Sequence, residues 1–167
     1  MPVQTYIFIL LQLLVVTYFD LKTRKISNLW VLLNIIIYLF HLFYFSNQYP
    51  LVPEHFIFPL GCLFIGFLFF LLNIMGPGDS KYLFSLFLLI NKDHQITFFT
   101  SLLFTTAIVG SILLLLHTIR NFDKIKMAIM LSDFRQLKGV FGSKYTHAPI
   151  IIISWVGFGW KANIISI

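Results

Sequence analysis

Long apolar runs occupy most of this chain, and they restrict its possible folds more than any other feature. They fall at residues 3–20, 29–46, 55–75, 80–91, 96–118 and 146–164. A helix that crosses a bilayer needs about 20 predominantly apolar residues, within a range of about 17–25. Of the 167 residues, 59% are hydrophobic and only 11% charged, with a mean hydropathy of +0.90. Soluble domains are about 45–50% apolar and about 25% charged. A soluble fold of this size has no way to hide so much apolar surface, so lipid is the expected solvent for much of it. The expected fold is an all-α, polytopic membrane protein, a six-transmembrane-helix bundle forming one domain over 1–167.

Charge gives the orientation. The fourth run is short: at about 1.5 Å per residue its twelve residues reach only about 18 Å, against a hydrocarbon core of about 30 Å. If all six runs cross, Lys22, Arg24, Lys25, Lys81, Arg120, Lys124, Lys126, Arg135, Lys138 and Lys144 share one side, and Lys92 and Lys161 lie on the other. If the fourth does not cross, the six basic residues from Arg120 to Lys144 move outside. That breaks the rule that cytoplasmic loops carry the excess of Lys and Arg. Six crossings of an inner membrane, with both termini outside, satisfy it. The short fourth helix then implies either a thinned bilayer or a water-filled notch beside its start.

The first run has no Lys or Arg before it and Asp20-Leu21-Lys22 after it, unlike a signal peptide, and is read as a retained helix. A lone cysteine, Cys62, cannot build a disulfide framework or a Cys-based zinc site. The net charge of +6 would suggest nucleic acid in a soluble protein. Here the charges flank apolar runs, which points instead to orientation and to anionic lipid headgroups as partners. The outer stretches, Asn47 to Glu54 and Asn91 to Gln95, read as polar turns. In the inner loop, about 119–145, Phe122, Ile125, Ile129, Phe134, Leu137 and Phe141 recur with Lys124, Lys126, Arg135 and Lys138 between them. Two readings stand: an amphipathic helix in the cytoplasmic interface, or a basic loop that simply obeys the orientation rule.

Of the six acidic residues, Glu54, Asp93, Asp123 and Asp133 read as solvated loop charges. Asp20 and Asp79 stand apart, each at a helix end on the same cytoplasmic level. A carboxylate beside hydrocarbon is costly and marks a functional site by default. Singly, Asp20 also reads as a boundary residue paired with Lys22 or Arg24, and Asp79 as an N-cap of the fourth helix. Gly76 and Gly78 also read as breakers in a tight turn. As a pair, two neighbouring carboxylates cannot both ionise easily and titrate as a unit. Such a dyad holds a water: one carboxylate takes its proton as it attacks a peptide carbonyl, and the other protonates the developing oxyanion. The glycines would let substrate backbone approach Asp79.

These residues resemble the type IV prepilin peptidases, membrane aspartic proteases of the GxGD class. The resemblance rests on Gly76-Pro77-Gly78-Asp79 with Lys81, on Asp20 with Thr23-Arg24, Ile26 and Asn28, and on Ala148-Pro149 opening the last helix. It implies that Asp20 and Asp79 are catalytic, with Gly76, Gly78, Lys81 and Asn28 as supporting or substrate-binding residues. It further implies cleavage of a short basic leader from prepilin-like proteins at the cytoplasmic face, followed by extraction of the product by pilus or secretion machinery. Ser27 departs from a frequent proline before Asn28, and Pro77 from a usually small or apolar residue. Larger members carry a cytoplasmic domain with paired cysteines between the first two helices. About eight residues stand there in this chain, so it resembles the short, peptidase-only forms, with no methyltransferase activity, cofactor or metal expected.

Lys81 reads either as a substrate contact or as a snorkelling anchor, and Asn28 either as a helix cap or as part of the site. Asn73 reads as interhelical glue. His41, His55, His94, His117 and His147 form no metal pattern and read as hydrogen-bonding groups. Trp30, Trp155 and Trp160 fit membrane-interface belts. Two other functions remain open on residues alone. One is a small proton-coupled transporter or channel subunit, in which intramembrane carboxylates relay ions. The other is a pilus or secretion-complex scaffold, which would tolerate loss of both aspartates.

Overall fold

The computed structural model describes residues 2–45, 49, 51–71, 75–122 and 148–164. Asn73, His147 and the inner loop beyond Phe122, with its two readings, lie outside the described residues. Among those residues there are six helices and no strand: α1 (Val3–Thr23), α2 (Asn28–Tyr44), α3 (Pro53–Leu71), α4 (Pro77–Leu88), α5 (Lys92–Arg120) and α6 (Ala148–Lys161). α1, α3 and α5, with 21, 19 and 29 residues, are long and apolar enough to cross a membrane. α2, α6 and α4 are shorter, at 17, 14 and 12 residues. The regular structure of the described residues is thus entirely helical. Large apolar side chains such as Leu11, Phe64, Phe67, Phe104 and Ile108 lie exposed along the long helices, a surface suited to a bilayer.

Helix ends depart from the apolar runs where local chemistry overrides hydropathy. α1 does not stop at Asp20. It continues to Thr23, whose hydroxyl donates back to Phe19 O (2.9 Å), and ends where Arg24 turns left-handed (φ 52°) with its N–H on Asp20 O at 2.8 Å. The cap of α2 is Ser27 rather than Asn28: its hydroxyl accepts Leu29 N–H at 3.2 Å, and Asn28 is the first helical residue. α4 starts three residues before the expected position 80, at Pro77, because proline suits the first helical position, where its missing N–H costs nothing. Asp79 therefore lies inside the first turn, and the N-cap is Gly76. Lys92–Gln95, expected as a turn, open α5, with Asn91 accepting Asp93 N–H at 3.5 Å.

Consecutive helices run antiparallel. The Thr5 hydroxyl, near the start of α1, donates to His41 Nε2 near the end of α2 (2.9 Å), and Gln12 Nε2 donates to Asn34 Oδ1 midway (2.8 Å). Across α3 and α4, Phe58 stacks on Phe87 and Gly66 meets Ser80. Across α5 and α6, His94 packs on Phe158 and Ser101 donates to Ser154 O at 2.8 Å. α2 and α4 lie parallel, with Ile26 against Gly78 at one level and Asn34 Nδ2 donating to Ser85 Oγ (3.0 Å) further along. α3 and α5 are also parallel, joined by His55 with Gln95 and by Phe58 with Phe99. α1, α3 and α5 thus point one way and α2, α4 and α6 the other. Lipid tails are as apolar as these side chains, so polar stitches of this kind, at about 0.6–2 kcal/mol each, help to specify which helices pair.

α4 is the innermost helix, and its shortness has a structural answer. Tyr82, Ser85, Leu86 and Phe87 are fully buried. The carbonyls that its C-terminal end leaves without intrahelical partners are met by other elements. His55 Nε2 donates to Leu88 O at 3.2 Å, and the Tyr49 hydroxyl to Leu89 O at 3.0 Å. Gln95 Nε2 lies 3.3 Å from Ile90 O just past the helix, 3.2 Å from Phe87 O, which also accepts Ile90 N–H at 3.2 Å, and 3.0 Å from His55 O of α3. Irregular backbone at membrane depth is tolerated where protein buries and pairs it, so α4 can end early. Gln95→Leu is expected to cost about 1–3 kcal/mol for each carbonyl left unpaired, read as a lower thermal-unfolding midpoint in detergent. An unchanged midpoint would reject this account of the helix end.

Trp155 departs from the interface-belt expectation: it is fully buried in α6. Its Nε1 donates to Tyr6 O at 3.3 Å, Tyr6 donates its hydroxyl to Trp155 O at 3.2 Å, and the two rings stack at 5.2 Å. A reciprocal pair of this kind satisfies both polar tips without water, which lets the indole serve as core. Trp160, by contrast, is exposed.

Candidate active site

The inward face of α1 recurs as Tyr6, Ile9, Leu13, Val16 and Asp20, in alternating steps of three and four, and all are buried. That is the stripe a packed helix turns to its neighbours, so helical period alone carries Asp20 into the bundle. Only 4% of Asp20 is exposed. Its Oδ2 accepts the main-chain N–H of Ala148, the first residue of α6, at 3.4 Å. The start of α6 is thus bonded to the close of α1.

Asp79 is 8% exposed. It is the third residue of α4, and its Oδ2 accepts the Gly76 N–H at 3.0 Å while its own N–H donates to Gly76 O at 3.2 Å. This is the reach-back half of a capping box, made by an acidic residue at the positive end of a helix. A methyl group at Gly76 would sit 3.2 Å from Asp79 Oδ2, and one at Gly78 would sit 3.1 Å from Ile26 O and 3.5 Å from Ile26 Cβ. The bare face of Gly78 is thus filled by this chain's own backbone, the link between α1 and α2, and not left open for a substrate. The contact has a use: it seats the Gly76–Asp79 turn directly against the segment that follows Asp20.

The three stretches around Asp20, Asp79 and Ala148-Pro149, far apart in sequence, therefore gather at one end of the bundle. The other expected residues are placed differently. Lys81 is exposed and lies along an apolar groove of about 600 Å³ with Leu60, Phe64, Phe67, Pro77 and Ser80, an environment that suits its aliphatic stem. Asn28 is exposed at the start of α2, beside Leu29, Val31, Leu32 and Ile35, and makes no hydrogen bond to either carboxylate. Of the histidines, His41 and His55 bond between helices, while His117 bonds Asn121 within α5. Among the described residues no three His, Cys, Asp or Glu side chains gather to hold a metal ion.

Two contributors escaped the sequence reading. Gly66 of α3 lets α4 pack so closely that a methyl there would lie 2.6 Å from Ser80 Cβ and 3.2 Å from Ser80 Cα, next to Asp79. Glycine in an apolar run carries no signal of which helix it will face. The Ala148 amide has no side-chain signature at all, because any residue but proline would supply it. Compared with known proteins, the chain matches no family model, no curated protein and no solved structure.

Proposed function

We propose that this chain is a membrane aspartic endopeptidase of the prepilin-peptidase kind, which removes the short basic leader of prepilin-like proteins at the cytoplasmic face of the inner membrane. The observation that carries this reading is the gathering of Asp20 and Asp79, both buried, at one end of the bundle, with Gly78 pressed on Ile26 and Asp20 bonded to Ala148. In the proposed reaction a water held between the carboxylates attacks the scissile carbonyl. One aspartate accepts its proton and the other protonates the carbonyl oxygen. Collapse of the tetrahedral intermediate then expels the amine, which leaves with a proton from the dyad.

The topology supports the sidedness. α1, α3 and α5 run parallel, so if all three cross the membrane the chain must return between them, through α2 and α4. On the same condition α6, antiparallel to α5, would make the sixth crossing. Lys22, Arg24, Lys25, Lys81 and Arg120 lie at the Asp20–Asp79 end and Lys92 and Lys161 at the other, and on this reading the positive-inside rule makes the first end the cytoplasmic one. Pilus or secretion machinery would then draw the cleaved product away.

The test is co-expression with prepilin-like proteins from the same genome, following the leader by gel shift. Loss of a leader-sized fragment only when this chain is present supports the reading. If every such substrate keeps its leader beside the wild-type chain, the peptidase reading is wrong.

A further inference from the structure

Resting on the peptidase reading, we infer that two main-chain amides, Gly76 N–H and Ala148 N–H, are the groups that aim the catalytic carboxylates. Each donates to an aspartate Oδ2, Gly76 to Asp79 at 3.0 Å and Ala148 to Asp20 at 3.4 Å. Each lies where a helix starts, as the N-cap of α4 and the first residue of α6. Amides there have no intrahelical acceptor and are free to bond elsewhere.

A second feature repeats at both places. The donor is followed at once by proline, as Gly76-Pro77 and Ala148-Pro149. Proline supplies no N–H and biases the residue before it towards extended backbone. At each place the N–H that would follow the donor is absent. The side chains at these positions contribute little to the bond. Glycine has none, and the Ala148 methyl is fully buried. α6 thus acts as a positioning element for α1's aspartate, through the one atom that side-chain comparison overlooks.

This makes an unusual substitution pattern the test. Gly76 has φ −77° and ψ 151°, which proline adopts without strain, so Gly76→Pro deletes the donor while keeping the backbone, and Gly76→Ala is its matched control for the added Cβ. Proline is also favoured at a first helical position, so Ala148→Pro is compared with Ala148→Gly. Replacing residue 148 by the α-hydroxy analogue of alanine in cell-free synthesis removes the N–H and adds no atoms.

With a cleavable prepilin-like substrate, the proline and ester variants are expected to lose about 10- to 100-fold in kcat, the range for a hydrogen bond to a charged group, with KM within about twofold. Each proline variant is read against its Ala or Gly partner, which carries the cost of the changed side chain alone (a methyl at residue 76 lies 3.2 Å from Asp79 Oδ2), so the donor's share is the further loss in kcat beyond that partner. A drop confined to kcat marks a group that aims the reacting atoms. Full kcat in the ester variant, or a change in KM alone, overturns the inference while the peptidase reading stands. If a proline variant fails to fold, as judged by its thermal midpoint, the ester arm decides. A wild type that cleaves nothing removes the peptidase reading and this inference with it.

Discussion

Asp20→Asn and Asp79→Asn are each expected to give a folded, membrane-inserted protein whose leader cleavage falls to background. Asparagine keeps the size of the side chain and an oxygen that can still accept a main-chain amide. The Gly76 N–H bond at position 79 and the Ala148 N–H bond at position 20 therefore have acceptors in the variants, and the helix starts stay capped. What is lost is the ability to take or give a proton. General acid–base catalysis by one positioned group contributes about 10²–10⁴-fold, and in the proposed reaction both groups act on one water, so each single replacement should remove almost all activity. The double variant should be no worse, because groups that work as a unit are not additive. The measurement is cleavage of a co-expressed prepilin-like substrate, alongside the membrane-fraction yield and thermal midpoint of each variant. Either single variant cleaving within about tenfold of wild type would refute the dyad.

Gly66→Ala is expected to be nearly as damaging, although Gly66 touches no reacting group. Its new methyl would lie 2.6 Å from Ser80 Cβ and 3.2 Å from Ser80 Cα, so α3 and α4 must separate. Overpacking of this kind costs about 1–3 kcal/mol. The displaced part is the turn that carries Asp79, and a misplacement of about 1 Å costs on the order of a hundredfold in rate. The cause can be isolated. The Ser80 hydroxyl is buried without a hydrogen-bond partner, so Ser80→Gly removes the Cβ and the hydroxyl without breaking a bond and leaves only the 3.2 Å contact with Cα. Gly66→Ala with Ser80→Gly should recover much of the thermal midpoint and of the cleavage that Gly66→Ala alone destroys. No recovery in the double variant would mean that Gly66 acts some other way.

Much of this architecture can be read along the chain, but unevenly. The apolar runs announce helices because lipid leaves so few ways to satisfy a backbone. The three- and four-residue steps from Tyr6 to Asp20 announce a buried aspartate because helical period is local. The start of α4 lies three residues before the expected one because Gly76 and Gly78 read as turn breakers, whereas Pro77 between them, at a first helical position, belongs to the helix. Trp155 read as a belt residue because nothing near it in sequence shows that Tyr6, 149 residues away, will satisfy its indole.

By itself, then, the sequence determined the solvent, the helical class, the charge asymmetry between the two ends and the identity of the two unusual carboxylates. These follow from composition and from periods spanning one or two turns. Only the tertiary structure decided that α4 can be short because Gln95, His55 and Tyr49 meet its open carbonyls. Only it decided that Gly78 faces Ile26 and Gly66 faces Ser80, and that α6 offers its first amide to Asp20. Each of these is a contact between helices, set by which faces pack and at what height. An amide donor or a missing Cβ looks the same in sequence wherever it points.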